Sequence, residues 1–425
     1  MTLKAAESLT RGIRRWDLVG LFINAMVGAG IFGLPGTVFA LTGTYSLLAY
    51  VLCAVLVVLI VLCFAELGSR FKDTGGPYLY ARQAFGPLVG FEVGWLLWLA
   101  RLTAFAALCN LFTDYLSYFW PAAAGGLPRA AAITAIVAGL AAINIIGVRT
   151  AALVSDVFTV SKLIPLLLFV VAGLFYVHMG SFPRNAFPGY APFSSAVLLL
   201  VFAFSGFEVP SIMAGETLDP RRDMPFALFT SIGIVASLYI AVQFVCIGTL
   251  PGLAGSQRPL ADASSLFLGA AGAAFVSAGA LVSVSGTLNG IMLAGPRVLF
   301  AMSEQKQIPR FFSITHARFH TPHVAILISA GVMLVLSLGG TFISALTIST
   351  IIRLVTYATT CAALPVLRRK SGTPAAGFTA PAATVVSVAA LALCAWLLST
   401  TEWNEIRAAG IAALLGLVFF RRSPA

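Results

Sequence analysis

Long apolar runs separated by short polar stretches dominate this chain. They lie near 17–41, 45–68, 86–119, 127–146, 152–178, 194–216, 225–250, 265–302, 323–338, 341–367, 377–398 and 404–421. A helix that crosses a bilayer needs roughly 20 mostly apolar residues. The pattern therefore predicts an all-α membrane protein of about twelve transmembrane helices, with 323–338 and 404–421 the shortest spans. No Gly/Ser linker, charge run or short solenoid period divides the chain. The stretch Met1 to Asp17 is polar and basic, without a short apolar core and cleavage site, so no cleaved signal peptide is expected.

Composition narrows the class. A chain of 425 residues could form two or three soluble domains. Hydrophobic residues are 59% and charged residues only 10%, against about a quarter charged in soluble domains. A soluble enzyme, a disordered chain and a nucleic-acid binder are excluded. The net charge of +11 is explained by its placement. With a cytoplasmic N-terminus, the outward loops hold only Arg129, Arg184, Arg258 and Arg407, and most other basic residues fall on inward segments. The positive-inside rule then places both termini in the cytoplasm and favours an even number of spans. A multi-pass protein of the cell membrane (inner or plasma) is expected, with the lipid bilayer as its surroundings. Cys53, Cys63, Cys109, Cys246, Cys361 and Cys394 lie in apolar runs without a CxxC, and read as small core residues.

Two apolar runs are interrupted. The first contains Gly28-Ala29-Gly30-Ile31-Phe32-Gly33. The sixth contains Phe204-Ser205-Gly206-Phe207-Glu208, with Pro210 beyond. Gly28-x-Gly30-x-x-Gly33 matches the dinucleotide fingerprint in letters, but it lacks the preceding strand and the acidic residue that the fingerprint needs. It is either a small-residue seam for close helix packing or a helix break at mid-membrane. A break frees backbone N–H groups that an anion can satisfy at a half-helix N-terminus. The second break frees carbonyls that can accept from an ammonium. Together they suit a zwitterion such as an α-amino acid, with Phe202, Phe204 and Phe207 as pocket wall, gate or plain packing. Five spans separate the breaks, so a repeat would be inverted, and paired interrupted segments point to a secondary transporter's site.

Charges inside spans sharpen this picture. Glu208 is a functional candidate by default, or else fixes the unwound segment by hydrogen bonding. Lys162 costs about 2.5–3.5 kcal/mol at the bilayer centre. It is a candidate proton carrier, or it pairs with Asp156 or snorkels. Arg101 keeps its charge, and binds an acidic substrate group or pairs with Glu92, Glu208 or Asp114. Arg297 and Arg353 lie nearer helix ends and read as anchors or pairs. His316, His320 and His323 fall in a basic loop, so no metal site is expected. No HExxH, GxSxG or Walker motif is present. Without an ATP site the energy must come from a gradient or from exchange.

The residues resemble the amino acid–polyamine–organocation transporters over nearly the whole chain. The resemblance rests on Gly28-Ala29-Gly30-Ile31-Phe32, on Phe202-Ala203-Phe204-Ser205-Gly206-Phe207-Glu208, and on Glu216 to Pro225 as the sixth-to-seventh loop. It also rests on Leu288-Asn289-Gly290 through Arg297 as the eighth helix, and on Tyr78 in Gly75-Gly76-Pro77-Tyr78 as the second-to-third loop. It implies a leucine-transporter-like fold. The segments are an N-terminal piece (1–16), a first inverted repeat (17–178), a second (194–370) and two further helices (377–421). It implies an amino acid moved by alternating access, with Met26, Val27, Ala29 and Gly30 at its carboxylate and Phe202, Ala203 and Ser205 at its amino group and gate. Gly28, Ile31, Phe204, Gly206, Phe207, Arg101 and Phe105 complete the candidate site. Lys162 matches the fifth-helix lysine of proton-coupled members, and Glu208 is grouped with it. Arg101 departs from the neutral residue of many relatives. Proton-coupled symport is expected, with H+ as coupling ion and no cofactor. Exchange is the alternative. A channel would show a filter-like segment and an enzyme clustered catalytic residues; neither is seen.

Overall fold

The computed structural model describes residues 13–71, 75–146, 162–182, 186–208 and 217–420. The architecture is all-helical, and among the described residues the only extended pairing is one bridge between Ile13 and Thr217. The first apolar run forms two helices, α1 (Arg15–Met26) and α2 (Ala29–Thr42). Asp17 starts α1 by accepting the Arg14 backbone N–H at 3.0 Å, half of a reciprocal cap. Val27 and Gly28 leave helical geometry, Gly28 at φ −141° and ψ −143°, so the helix breaks at the expected glycines. α3 (Ser46–Arg70) returns across the molecule.

The stretch before the third run, expected as a loop, is helical: α4 (Gly76–Phe85) carries Tyr78. Pro77 sits in its first turn, where a missing N–H costs nothing, and Gly86 at φ +94° separates it from α5 (Pro87–Leu116). Tyr78 is therefore fixed, donating to Gln305 Oε1 at 2.7 Å and accepting from Gln307 Nε2 at 2.9 Å. α6 (Gly126–Ile146) follows. The fifth run is described from Lys162 onward, as α7 (Leu163–Leu174). α8 (Tyr190–Phe204) ends at the second expected break: Ser205 is extended and Gly206 has φ +113°.

α9 (Pro220–Thr249) begins with proline at its first position. The run expected at 265–302 is two helices, α10 (Pro259–Phe267) and α11 (Gly269–Glu304), parted by Gly269 at φ +67°. α12 (His323–Gly339) and α13 (Phe342–Arg369) match their runs closely. α14 (Ala383–Ser399) starts after Pro381, later than hydropathy alone suggests, and a bend of 116° leads to α15 (Trp403–Phe419).

Among the described residues six helical segments are long and apolar enough to cross a membrane: Ala29–Arg70, Pro87–Leu116, Gly126–Ile146, Pro220–Thr249, Gly269–Glu304 and Phe342–Arg369. They become seven if the bent α14–α15 pair counts as one. α7, α8 and α12 are apolar but shorter. Large apolar side chains such as Val55, Leu167, Val335 and Val418 are exposed on the periphery, as a lipid-facing surface requires. All six cysteines are buried and unbridged. The interior is aromatic: Phe64 meets Phe207 and Tyr357 at ring-centroid distances of 5.2 and 5.8 Å, and Phe204 meets Tyr239 at 5.2 Å. These contacts hold α3, α8, α9 and α13 around the two breaks.

Candidate functional site

Both breaks open on one cavity of about 310 Å³. One wall comes from the first break and its flanks: Leu21, Asn24, Ala25, Met26, Gly28, Ala29 and Gly30. Phe202, Ser205 and Gly206 come from the second break, Lys162 from the start of α7, and Arg101, Ala104 and Leu108 from one face of α5. Ser283, Gly286, Thr287, Gly290, Ile291, Leu293 and Ala294 come from α11, and Arg353 from α13. Residues 101, 104 and 108 share a face because helical neighbours recur every three to four residues. The small residues of α11 leave the space that larger ones would fill.

Val27, Ile31, Phe105, Ala203, Phe204, Phe207 and Glu208 do not line this cavity. Phe105, Phe204 and Phe207 are wholly buried in the packed interior, as are Val27 and Ile31. Phe207 stacks between Phe64 and Tyr357 instead of facing a ligand. Ala203 packs on the first break: a Cβ added to Gly30 would lie 2.5 Å from the Ala203 Cα. Gly30 is thus a close-packing glycine as well as a cavity-lining one, and both sequence readings of the glycine motif describe it.

The carbonyl ends of the half-helices are met by protein donors. Lys162 Nζ donates to Asn24 O at 2.5 Å and to Val27 O at 2.8 Å. Its side chain is buried, which overturns snorkelling; Asp156, the other expected partner, lies outside the described residues. Tyr239 Oη bridges Met26 O at 2.9 Å and Ala203 O at 3.1 Å, one hydroxyl serving both breaks. Ser205 donates its hydroxyl to Phe202 O at 2.7 Å and its N–H to the same oxygen at 3.1 Å.

Glu208 is held on every side. Gly206 N–H donates to Oε2 at 2.9 Å, Tyr357 Oη donates to the same oxygen at 2.9 Å, and Arg353 pairs with Oε1. Arg353 therefore lies mid-helix on α13 as an ion-pair partner, not near a helix end. Arg297 bonds the Leu293 carbonyl one turn back on α11. Neither Glu208 nor Asp114 is the partner expected for Arg101, since Asp114 pairs with Arg129 at 2.8 Å. Glu92 does not pair with it either. Arg101 has no hydrogen-bond or ion-pair partner among the described residues, though it is only 7% exposed.

The N-terminus of α2 differs from the carbonyl ends. Its cap, Gly28, has no side chain to offer, and Ala29 and Gly30 border the cavity. The first N–H groups of a helix have no intrahelical partner and carry partial positive charge. They and Arg101 suit an anion. His316 lies elsewhere, in its own loop, where Nδ1 accepts the Arg318 and Phe319 N–H groups.

Sequence reasoning missed Asn24, Thr287, Tyr239 and Tyr357; it expected Arg353 to anchor or pair but did not name Glu208 as its partner. For Arg353 a signal existed: a charge inside an apolar run needs an opposite charge, and Glu208 was one of the few available. Glu66 was missed as well. It is a buried carboxylate clamped by Arg70 at 2.6 Å, Arg368 at 2.5 Å and the Ala380 N–H at 2.8 Å.

Residues 13–419 match the family model described as amino acid permease. A serine/threonine exchanger of Bacillus subtilis is 28% identical, the match covering 93% of this chain and 92% of the relative. A methylthioribose transporter of the same organism is 28% identical over 92% and 89% of the two chains. Its branched-chain amino acid permease is 28% identical over 97% and 93%. The chain belongs to the amino acid permease family, a family of membrane transporters and not of enzymes.

Proposed function

We propose that this protein carries amino acids across the cell membrane as a secondary transporter working by alternating access. The observation that carries the proposal is the cavity between two helix breaks, with uncapped α2 amides on its wall. A substrate carboxylate satisfies those amides at membrane depth. The Met26, Gly28, Ala29 and Gly30 segment serves the carboxylate, and Phe202, Ser205 and Gly206 serve the amino end and the gate. The topology proposed is twelve spans with both termini cytoplasmic. Residues 17–178 and 194–370 form inverted repeats, preceded by 1–16 and followed by two further helices in 377–421. The similar exchanger and permease support amino acids as the cargo class; a relative of the same identity is named for a different cargo, methylthioribose.

Coupling to protons is proposed through Lys162. Its ammonium ties the last carbonyls of α1 to the start of α7. Loss of the proton removes the charge that holds the tie, so α1 gains freedom to tilt as the cavity opens. Glu208, already saturated, steadies the second break in the same cycle. Antiport is the second reading, favoured by the exchanger relative. In it Lys162 is a fixed strut.

The test uses purified protein in liposomes. Uptake of a labelled amino acid panel is followed with an inward proton gradient, then without one but with unlabelled amino acid inside. Gradient-dependent uptake that Lys162→Ala abolishes supports symport. Uptake that needs only the trapped partner, and persists in Lys162→Ala, assigns exchange.

A further inference from the structure

We infer that the cargo is an amino acid with a second, side-chain anionic group, and that Arg101 is the specificity residue that receives it. The inference rests on the transport reading above and names its substrate class.

Among the described residues three cationic side chains border the cavity: Lys162, Arg353 and Arg101. Two are engaged. Lys162 holds the Asn24 carbonyl of α1 and the Val27 carbonyl just past its end, and Arg353 is paired with Glu208. Arg101 is more than nine-tenths buried and has no partner among the described residues. A guanidinium does not shed its charge, and an unpaired charge at membrane depth is rare and marks a pathway or a ligand. Among the described residues no carboxylate pairs with Arg101. Asp114 is taken by Arg129, and Glu66 by Arg70 and Arg368. Glu92 is nine residues away on α5, about 13.5 Å along the axis.

Arg101 is also a different seat from the α2 amides. Leu111 of α5 lies against Gly33, because a Cβ on Gly33 would come within 2.9 Å of its methyl. Arg101 is ten residues from Leu111, about 15 Å along α5, while Ala29 is four residues from Gly33, about 6 Å along α2. The two backbone positions thus lie at different distances from that contact along their own helices, and both border the cavity. Ser349 Oγ donates to Ala100 O at 2.8 Å, which sets Arg101 beside the Arg353 stretch of α13. A lone α-carboxylate fills one seat and leaves the other charge bare. A dicarboxylic amino acid fills both, and the guanidinium fork matches a carboxylate with two parallel bonds.

The full-length protein is reconstituted in liposomes with an inward proton gradient and a mixture of amino acids trapped inside, so either coupling mode supports flux. Labelled uptake is competed with L-glutamate, L-aspartate, L-glutamine and L-asparagine. The acids are expected to compete at concentrations about tenfold to a hundredfold lower than their amides. In Arg101→Gln the acid-to-amide gap closes, and in Arg101→Lys, which keeps the charge but loses the fork, part of it remains. The unaltered protein alone decides if a variant does not fold. Uptake of neutral amino acids that the acids fail to inhibit overturns the inference and leaves the transport reading standing. An acid preference unchanged in Arg101→Gln removes Arg101 from the role. No uptake of any amino acid by folded protein overturns both readings.

Discussion

The two helix breaks face the same cavity but are finished differently. At the second break the protein supplies nearly every partner itself: Ser205 covers Phe202 O, Tyr239 covers Ala203 O, and Glu208 receives the Gly206 N–H. At the first break only the carbonyl side is covered, by Lys162 and Tyr239. The amide side, at the start of α2, has no side-chain cap. A buried helix end without partners is costly, so the unfinished end is the place where a ligand adds most. On the proposed reading the second break is a rigid frame and the first the receiving surface. Small residues at the first break keep it open to the cavity and let α2 press on α8.

If the second break is a frame, cutting its main tie should be the most damaging change. Glu208→Gln keeps the shape, but it removes the charge that Arg353 answers. Removing one partner of a buried pair costs about 3–5 kcal/mol, because the other charge is stranded. Thermal unfolding in detergent should show a large drop, with transport lost alongside. Unchanged stability would mean that Glu208 is not the pin of the second break. Adding Arg353→Met should restore part of the loss, since an apolar replacement strands nothing.

How much of this was visible in the sequence varies with range along the chain. The breaks were legible because glycines inside apolar runs are local signals, and α5, α6, α12 and α13 appear close to their hydropathy runs. Helix α4 was not, since Pro-Tyr-Leu-Tyr-Ala-Arg-Gln is short and half polar, and packing against α5 and α13 makes it worth ordering. Partner choice was least legible. Glu208 meets Arg353 across 145 positions, and Lys162 meets Val27 across 135. Charge alone says that Glu208, Arg101 and Arg353 need partners; the fold decides which two meet. The same limit applied to the aromatics. Phe204 and Phe207 flank the break in sequence, yet the fold turns both into the interior, while Phe202 reaches the cavity edge.

A second contrast lies within the first break. A Cβ on Gly30 would sit 2.5 Å from the Ala203 Cα, whereas one on Gly28 would meet nothing closer than Thr287 Oγ1 at 3.7 Å. Gly30→Ala must push α2 from α8, an overpacking cost of about 1–3 kcal/mol, and should lower both stability and uptake. Gly28→Ala makes an ordinary contact with Thr287 and should leave stability nearly unchanged while it intrudes on the cavity, raising the substrate KM. Melting curves and uptake kinetics of the two variants separate packing from binding. Equal loss of stability in both would show that the whole glycine motif is a packing seam.

The smallest effect, and the sharpest probe of how the breaks are joined, concerns the Tyr239 hydroxyl. It reaches Met26 O of the first break and Ala203 O of the second, and it has a single proton to donate between them. Tyr239→Phe keeps the ring against Phe204 and deletes only that oxygen. The direct loss is that of a buried hydrogen bond, about 1 kcal/mol. Lys162 still holds Val27 O, and Ser205 still holds Phe202 O, so each break keeps its nearer tie. Stability should fall slightly and substrate affinity little. If the hydroxyl makes the breaks move together, the exchange rate between the two faces should change more than equilibrium binding does. Counterflow rates set beside binding affinities in Tyr239→Phe measure that difference. Equal changes in rate and affinity would reduce Tyr239 to a local cap.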